Sequence, residues 1–315
     1  MSALRDTARR WGLALAGCNG IAWPQAAFAH NIAAHEAKFW QIEWPALAIL
    51  LASLWFYVRG VQRLWQASSP GRGVSRGEVA CFIAGWLVLV TALMPPVHTL
   101  GEILFSVHMV EHELLMAVAA PLLVLGRPVI AFLWALPRPA RQDLGSLSRG
   151  GPVHRVWFFA TSALVAWTVH ALALWVWHLP ALFEAALANE LVHSLQHVCF
   201  LGAALLYWTS LLRRRHDPES RGAAVISLFA TTLHSSILGA LLTLGTVAWY
   251  PLYGGRSATW GLTALEDQQL AGLVMWVPGG LVYMGAALAL AAVWLSESET
   301  HARRWETALL KERHS

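Results

Sequence analysis

The sequence predicts an all-α protein, a polytopic membrane bundle of about seven transmembrane helices. Of its 315 residues, 57% are hydrophobic and only 13% are charged, and the mean hydropathy is +0.50. Apolar runs of about 20 residues, which is the length needed to cross a bilayer, recur along the chain. Basic residues collect in alternate connections between these runs. Together these observations exclude an ordinary water-soluble domain.

The amino-terminal end is typical of a secretory signal peptide. Three arginines precede a short apolar run, and a small-x-small cleavage site ends at Ala29. We therefore expect four regions: a signal peptide (1–29), an outer N-terminal segment (30–43), a seven-helix membrane domain (44–295) and a cytoplasmic tail (296–315).

Seven apolar runs within the membrane domain are the predicted spans. They cover residues 44–61, 79–94, 100–125, 153–177, 191–212, 223–245 and 270–295. A further apolar stretch, 129–136, is too short to cross, and we expect it to lie at the membrane interface.

The distribution of basic residues predicts the orientation. If the signal peptide is cleaved, the mature amino terminus lies outside the inner (plasma) membrane. Seventeen of the nineteen basic residues that follow the signal peptide then fall on the cytoplasmic side, as does the C-terminus. The net charge of +4 is thus explained by topology. We expect membrane lipid to be a partner and predict no nucleic-acid binding.

Histidines in or at the ends of the apolar runs are the main functional signal. In the predicted topology all of them fall toward the outer face. Imidazole in hydrocarbon is costly unless it is paired or ligated, so a group of this size indicates function. These histidines are His98, His108, His112, His170, His178, His193, His197 and His234.

Two of the predicted spans carry histidines four residues apart, His108 with His112 and His193 with His197. Each pair lies on one helical face, about 6 Å apart along the axis, and two such faces can converge on a metal ion. Cysteines are too few and too scattered for a thiolate site, and imidazole donors alone allow Cu, Zn, Fe or Ni. Glu111 is the expected carboxylate partner. The predicted metal ligands are His108, Glu111, His112, His170, His178, His193, His197 and His234.

The start of the last span has its own pattern. Asp267 is the expected N-cap, because its side chain can accept hydrogen bonds from the free amides of the first helical turn. The run Pro278-Gly279-Gly280 is expected to kink this span and to let a neighbouring helix approach closely.

The chain resembles the multispanning CtaG family of cytochrome c oxidase assembly factors over roughly residues 44–295. The resemblance depends on HMVEHELLMAVAAPLLVLGRP (108–128), WHLPALFEAAL (177–187), HSLQHVCF (193–200) and EDQQLAGLVMWVPGG (266–280), with His234 in another recurring segment. It implies a membrane assembly factor that binds copper, delivers it to cytochrome c oxidase subunits and is not an enzyme.

Other functions remain open at this point. Two histidines on facing helices also suffice to ligate a b-type haem for electron transfer. A di-iron oxygenase is disfavoured, because membrane desaturases carry their histidine boxes on the cytoplasmic side. A metal or proton transporter would need further ligands in the cytoplasmic half, and a purely structural bundle leaves the one-sided histidines unexplained.

Overall fold

The computed structural model describes residues 42–147, 150–213 and 218–314, and every regular element within them is helical. The predicted all-α membrane bundle is confirmed. Six helices are long and apolar enough to cross a membrane, or seven spans if one bent helix pair counts as a single span. The predicted signal peptide and nearly all of the predicted outer N-terminal segment lie outside the described residues.

We number the spans one to seven, with the bent pair as the fourth. They are Trp44–Ala67, Arg76–Leu93, Phe105–Leu125, the pair Pro152–Ala160 and Ala163–Trp177, Glu190–Leu212, Gly222–Thr243 and Ala264–Glu299. Each overlaps one predicted apolar run. The boundaries differ because capping groups, and not hydropathy, fix where a helix begins. The second span, for example, begins at Arg76 because Ser75 and Glu78 form a capping box.

Three spans depart from a regular α-helix. The fourth bends by 64° between its two helices. The third contains a π-helical turn at Leu114–Ala119, just before Pro121, and the seventh contains one at Met275–Gly279 that includes Pro278. Proline has no amide hydrogen and its ring crowds the preceding turn, so a local widening of the helix accommodates it.

The short helix Pro128–Ala135, which covers most of the stretch predicted to lie at the interface, packs against the first span. The Tyr57 hydroxyl donates to the carbonyl of Gly126 (2.7 Å), and Arg63 Nη1 donates to the carbonyl of Ala135 (2.5 Å). Gly60 allows this close packing, because a Cβ there would overlap the carbonyl of Ala131.

Three connections, residues 94–104, 178–189 and 244–263, gather at one end of the bundle. The Tyr250 hydroxyl donates to the carbonyl of His178 (2.7 Å), and the Tyr253 hydroxyl donates to the carbonyl of Gly101 (2.9 Å). Both tyrosines are buried, so these hydrogen bonds hold the three connections together. We call this end of the molecule the cluster end, because the histidines described below lie there.

The bundle is apolar on the outside, and its mainly apolar interior also contains buried polar side chains. Large side chains such as Ile49, Leu164, Ile226 and Leu281 are more than two-thirds exposed. Histidine, glutamate and glutamine side chains, by contrast, are buried between the helices. This distribution is what a lipid solvent favours, and it leaves the buried polar side chains as the place where function is expected.

Candidate metal centre

The third span begins at Phe105, and a residue of another span caps it. Both oxygens of the buried Asp267 carboxylate accept hydrogen bonds there, from the amide of Phe105 (2.7 Å) and from the amide and hydroxyl of Ser106 (3.0 and 2.6 Å). The prediction that Asp267 caps its own helix is wrong. Thr263 has that role, in a capping box with Glu266. Asp267 instead fixes the first turn of the helix that carries His108 and His112.

The two histidine pairs face each other across the third and fifth spans. The ring centroids of His108 and His193 are 5.2 Å apart, and those of His112 and His197 are 5.6 Å apart. All four side chains are at most 8% exposed. The convergence expected from the i,i+4 spacing is therefore present in the structure.

A further histidine joins them from the short helix Val97–Gly101. The His98 ring stacks on His193 at a centroid distance of 5.3 Å, and its Nδ1 lies 2.8 Å from Glu111 Oε1. We use the name histidine cluster for the set that these contacts connect. It consists of His98, His108, Glu111, His112, His193 and His197.

Glu111 is the carboxylate of the cluster and is fully buried. Its Oε1 contacts His98 Nδ1 and also lies 3.5 Å from His197 Nε2. Gly101 makes room for it, since a Cβ at that position would lie 3.0 Å from Glu111 Oε2. The structure thus places Glu111, the expected carboxylate partner, beside two of the histidines.

His98 lies outside the spans, and two opposing effects act on its charge. Burial acts to lower the pKa of His98, but the hydrogen bond to Glu111 and the neighbouring acidic charges outweigh burial and raise the pKa above its ordinary value. The hydrogen bond to Glu111 and the acidic neighbours therefore favour the positively charged form of His98 beside the buried carboxylate.

Three overlapping sets of side chains have the separation that a metal ion requires. In each set one ligand atom per residue lies within 4.8 Å of the others. The sets are His108 with His112 and His197, His98 with Glu111 and His197, and His108 with Glu111 and His193.

Many of the potential ligand atoms have no hydrogen-bond partner within the described part of the chain. Both ring nitrogens of His108 and of His112 are unpaired, as are Glu111 Oε2, His193 Nε2 and His197 Nε2. A buried polar atom without a partner costs about 1–3 kcal/mol, so such a concentration in one place indicates a site that is completed by a ligand. Imidazole and carboxylate donors in this arrangement fit a transition-metal ion.

His178 lies beside the cluster, at the end of the fourth span. Its ring centroid is 6.3 Å from that of His112, its Nδ1 is 2.6 Å from the carbonyl of Leu174, and its Nε2 is 3.4 Å from Met109 Sδ. Burial lowers the pKa of His178 to about 4, so the ring is neutral at physiological pH.

His170 and His234 lie apart from the histidine cluster, and we call them the second pair. Their ring centroids are 6.4 Å apart, and His170 Nε2 is 3.4 Å from the hydroxyl of Tyr283. His170 precedes His178 by about 12 Å along a helix axis. The structure thus divides the predicted ligands into a compact cluster, His178 beside it, and a separate pair.

Sequence reasoning left two participants out of the predicted site. His98 was recognised as an outer histidine but not as part of the ligand set, because no spacing connects it with the other spans. The positioning role of Asp267 depends on a contact between residues more than 160 positions apart, which no local pattern reports.

Comparison with known proteins identifies relatives of this chain. A family model described as cytochrome c oxidase caa3 assembly factor (Caa3_CtaG) matches residues 55–297. Uncharacterized proteins of Mycobacterium bovis and Mycobacterium tuberculosis are each 26% identical over 242 residues, which is 72% of this chain. An uncharacterized protein of Mycobacterium leprae is 25% identical over 261 residues, or 79% of the chain. The chain spans only 35% to 38% of the lengths of these relatives. No solved structure matches.

Proposed function

The chain belongs to the Caa3_CtaG family of cytochrome c oxidase assembly factors, and from this premise we propose that it binds copper in the histidine cluster and delivers it to the oxidase. The observation that carries the proposal is the concentration of buried, unpaired imidazole nitrogens around one buried carboxylate. In this role copper is cargo, because a chaperone releases the ion that it binds.

The cluster residues divide into ligands and a positioning group. We propose that His108, His193 and His197, with Glu111 and His112, supply the donor atoms, because each belongs to at least one set with metal-ligand separations and has a buried, unpaired ligand atom. His98 holds the Glu111 carboxylate through its 2.8 Å contact and orients it toward the other donors.

The arrangement of donors also favours release. The three candidate sets share members, so an ion can change ligands one at a time without leaving the cluster. His170, His178 and His234 extend the line of imidazoles away from the cluster and are proposed as further binding positions. Imidazole donors suit several metals, and the choice of copper depends on the family's link to cytochrome c oxidase.

The proposal is tested with the double variant His108→Ala, His112→Ala. We expect the purified variant to lose bound copper, and membranes that contain it to show reduced oxidase activity, with an unchanged amount of the protein in the membrane. The matched control is His154→Ala, an exposed histidine away from the cluster, which should behave as the wild type. Normal copper stoichiometry in the double variant rejects the proposal. A Soret band in the purified wild type supports haem binding instead.

Delivery to an outward-facing oxidase centre requires the cluster end to face outward, and we propose this orientation from the basic residues. Exposed Thr259 is in a connection at the cluster end, and exposed Ser69 follows the first span at the other end. A membrane-impermeant thiol reagent applied to intact spheroplasts should label the Thr259→Cys variant and not the Ser69→Cys variant. The reverse pattern would place the cluster on the cytoplasmic side.

A further inference from the structure

Met109 and His178 meet at the edge of the histidine cluster, where Met109 Sδ and His178 Nε2 are 3.4 Å apart. We propose that this sulfur and this nitrogen form a separate Cu(I) position within the copper pathway. The inference rests on the proposed function, and it adds the oxidation state of the ion and a sulfur ligand that imidazole spacing does not reveal.

The hydrogen bonding of His178 determines which ring nitrogen carries the proton. Its Nδ1 lies 2.6 Å from the carbonyl oxygen of Leu174, and a carbonyl oxygen can only accept. Nδ1 therefore donates, and in the neutral ring Nε2 has a free lone pair. This lone pair faces the thioether of Met109, which is also an acceptor. Two atoms that each offer a lone pair are therefore in contact at 3.4 Å. A cation bound by both lone pairs makes this contact favourable.

The distance between the two atoms fits joint coordination. With a metal–nitrogen distance of about 2.0 Å and a metal–sulfur distance of about 2.3 Å, donors 3.4 Å apart subtend about 105° at the ion, close to the tetrahedral angle. Neither side chain needs to move far to share one ion.

The surroundings favour a soft, singly charged ion. Met109 is fully buried and His178 is 3% exposed. The rings of Phe183 and Phe200 lie with their centroids 6.0 Å from that of His178. The two donor atoms are therefore shielded from solvent, and a thioether with an imidazole is a donor pair that selects Cu(I) over harder ions.

The histidine cluster adjoins this position. His112 is three residues after Met109 on the same helix, so the two side chains share a face, and both of its ring nitrogens are unpaired. His112 is therefore placed to be a ligand at both positions, so that an ion can pass between the cluster and the Met109–His178 position.

The experiment uses the full chain in detergent, loaded with Cu(I) under a reductant, and X-ray absorption at the copper edge. We expect the wild-type spectrum to require a sulfur neighbour at about 2.3 Å. Met109→Leu conserves the side-chain volume and should remove this neighbour. It should also weaken Cu(I) binding at least about tenfold in competition with a chromogenic chelator, while Cu(II) binding is unchanged. The matched control, Met116→Leu, replaces another buried methionine of the same span and should retain both properties.

A wild-type Cu(I) spectrum with only nitrogen and oxygen neighbours overturns the inference and leaves the proposed function standing. Because the wild-type spectrum needs no variant, it tests the inference even if Met109→Leu does not fold. Equal Cu(I) affinity in folded Met109→Leu and wild type also overturns it. If the wild type binds no copper in either oxidation state, the proposed function itself fails.

Discussion

The histidine cluster and the second pair are both buried polar groups within the same bundle, but they differ in what surrounds the imidazoles. In the cluster, Glu111 contacts two histidines at 2.8 and 3.5 Å, and rings from separate helices contact one another. In the second pair, His170 contacts the Tyr283 hydroxyl. No set of three metal-ligand groups includes either histidine of the pair in the described part of the chain.

This difference separates the site that we expect to hold an ion tightly from a pair of histidines that we expect to bind one only weakly. Tight binding of a divalent ion in a medium of low dielectric constant needs a nearby negative charge as well as neutral donors. The cluster supplies both, whereas a tyrosine hydroxyl supplies only a neutral donor. Histidine number and depth, which the sequence shows, are therefore weaker indicators of a metal site than the position of one carboxylate.

The largest contrast is expected between double variants of the two regions. His193→Ala with His197→Ala removes a ligand from every candidate set, so we expect the tightly bound ion to be lost completely. His170→Ala with His234→Ala leaves every set intact and should retain that ion. Metal analysis after gel filtration measures both. Loss of the ion from the second variant would show that one site uses histidines of both regions.

A smaller effect should separate two glutamates of the third span. Glu111→Gln removes the charge from the cluster, and we expect metal affinity to fall about 10- to 100-fold. Glu113 is two residues later and projects in another direction, where its carboxyl carbon would be 2.7 Å from a Cβ at Gly279. Glu113→Gln should leave affinity unchanged. Competition titrations with a metal chelator compare the two, and equal losses would refute the assignment of Glu111.

The smallest effect concerns the capping carboxylate. Asp267→Ala leaves the first turn of the third span uncapped and should cost about 1–3 kcal/mol of stability, with weaker metal binding because His108 and His112 lose their anchor. Glu266→Ala disrupts only the exposed capping box of its own helix and should cost about 0.5 kcal/mol without affecting the metal. Thermal unfolding in detergent checks the stabilities. Equal metal affinity in the two variants would contradict a positioning role for Asp267.

The fold was largely predictable from the sequence, because each membrane span requires a long apolar run. Such a run can be recognised without knowledge of tertiary contacts. The ends of spans were less predictable, as the capping boxes at Ser75 and Thr263 show. They depend on side-chain hydrogen bonds that hydropathy does not report.

The site was predictable where helical periodicity determines it. The i,i+4 spacing was sufficient to place His108 and His112 on one helical face, and His193 and His197 on one face of another helix. It could not show that His98 joins them or that the second pair stays apart, because those facts depend on how helices distant in sequence pack together.

The location of a bound copper ion tests the central proposal most directly. Anomalous scattering at the copper edge from crystals of the copper-loaded protein would locate the ion without assumptions about its ligands. We expect a peak among the side chains of His108, Glu111, His193 and His197, within bonding distance of at least two imidazole nitrogens. A peak outside the histidine cluster and away from His178, or none in protein shown by metal analysis to hold copper, would contradict the account.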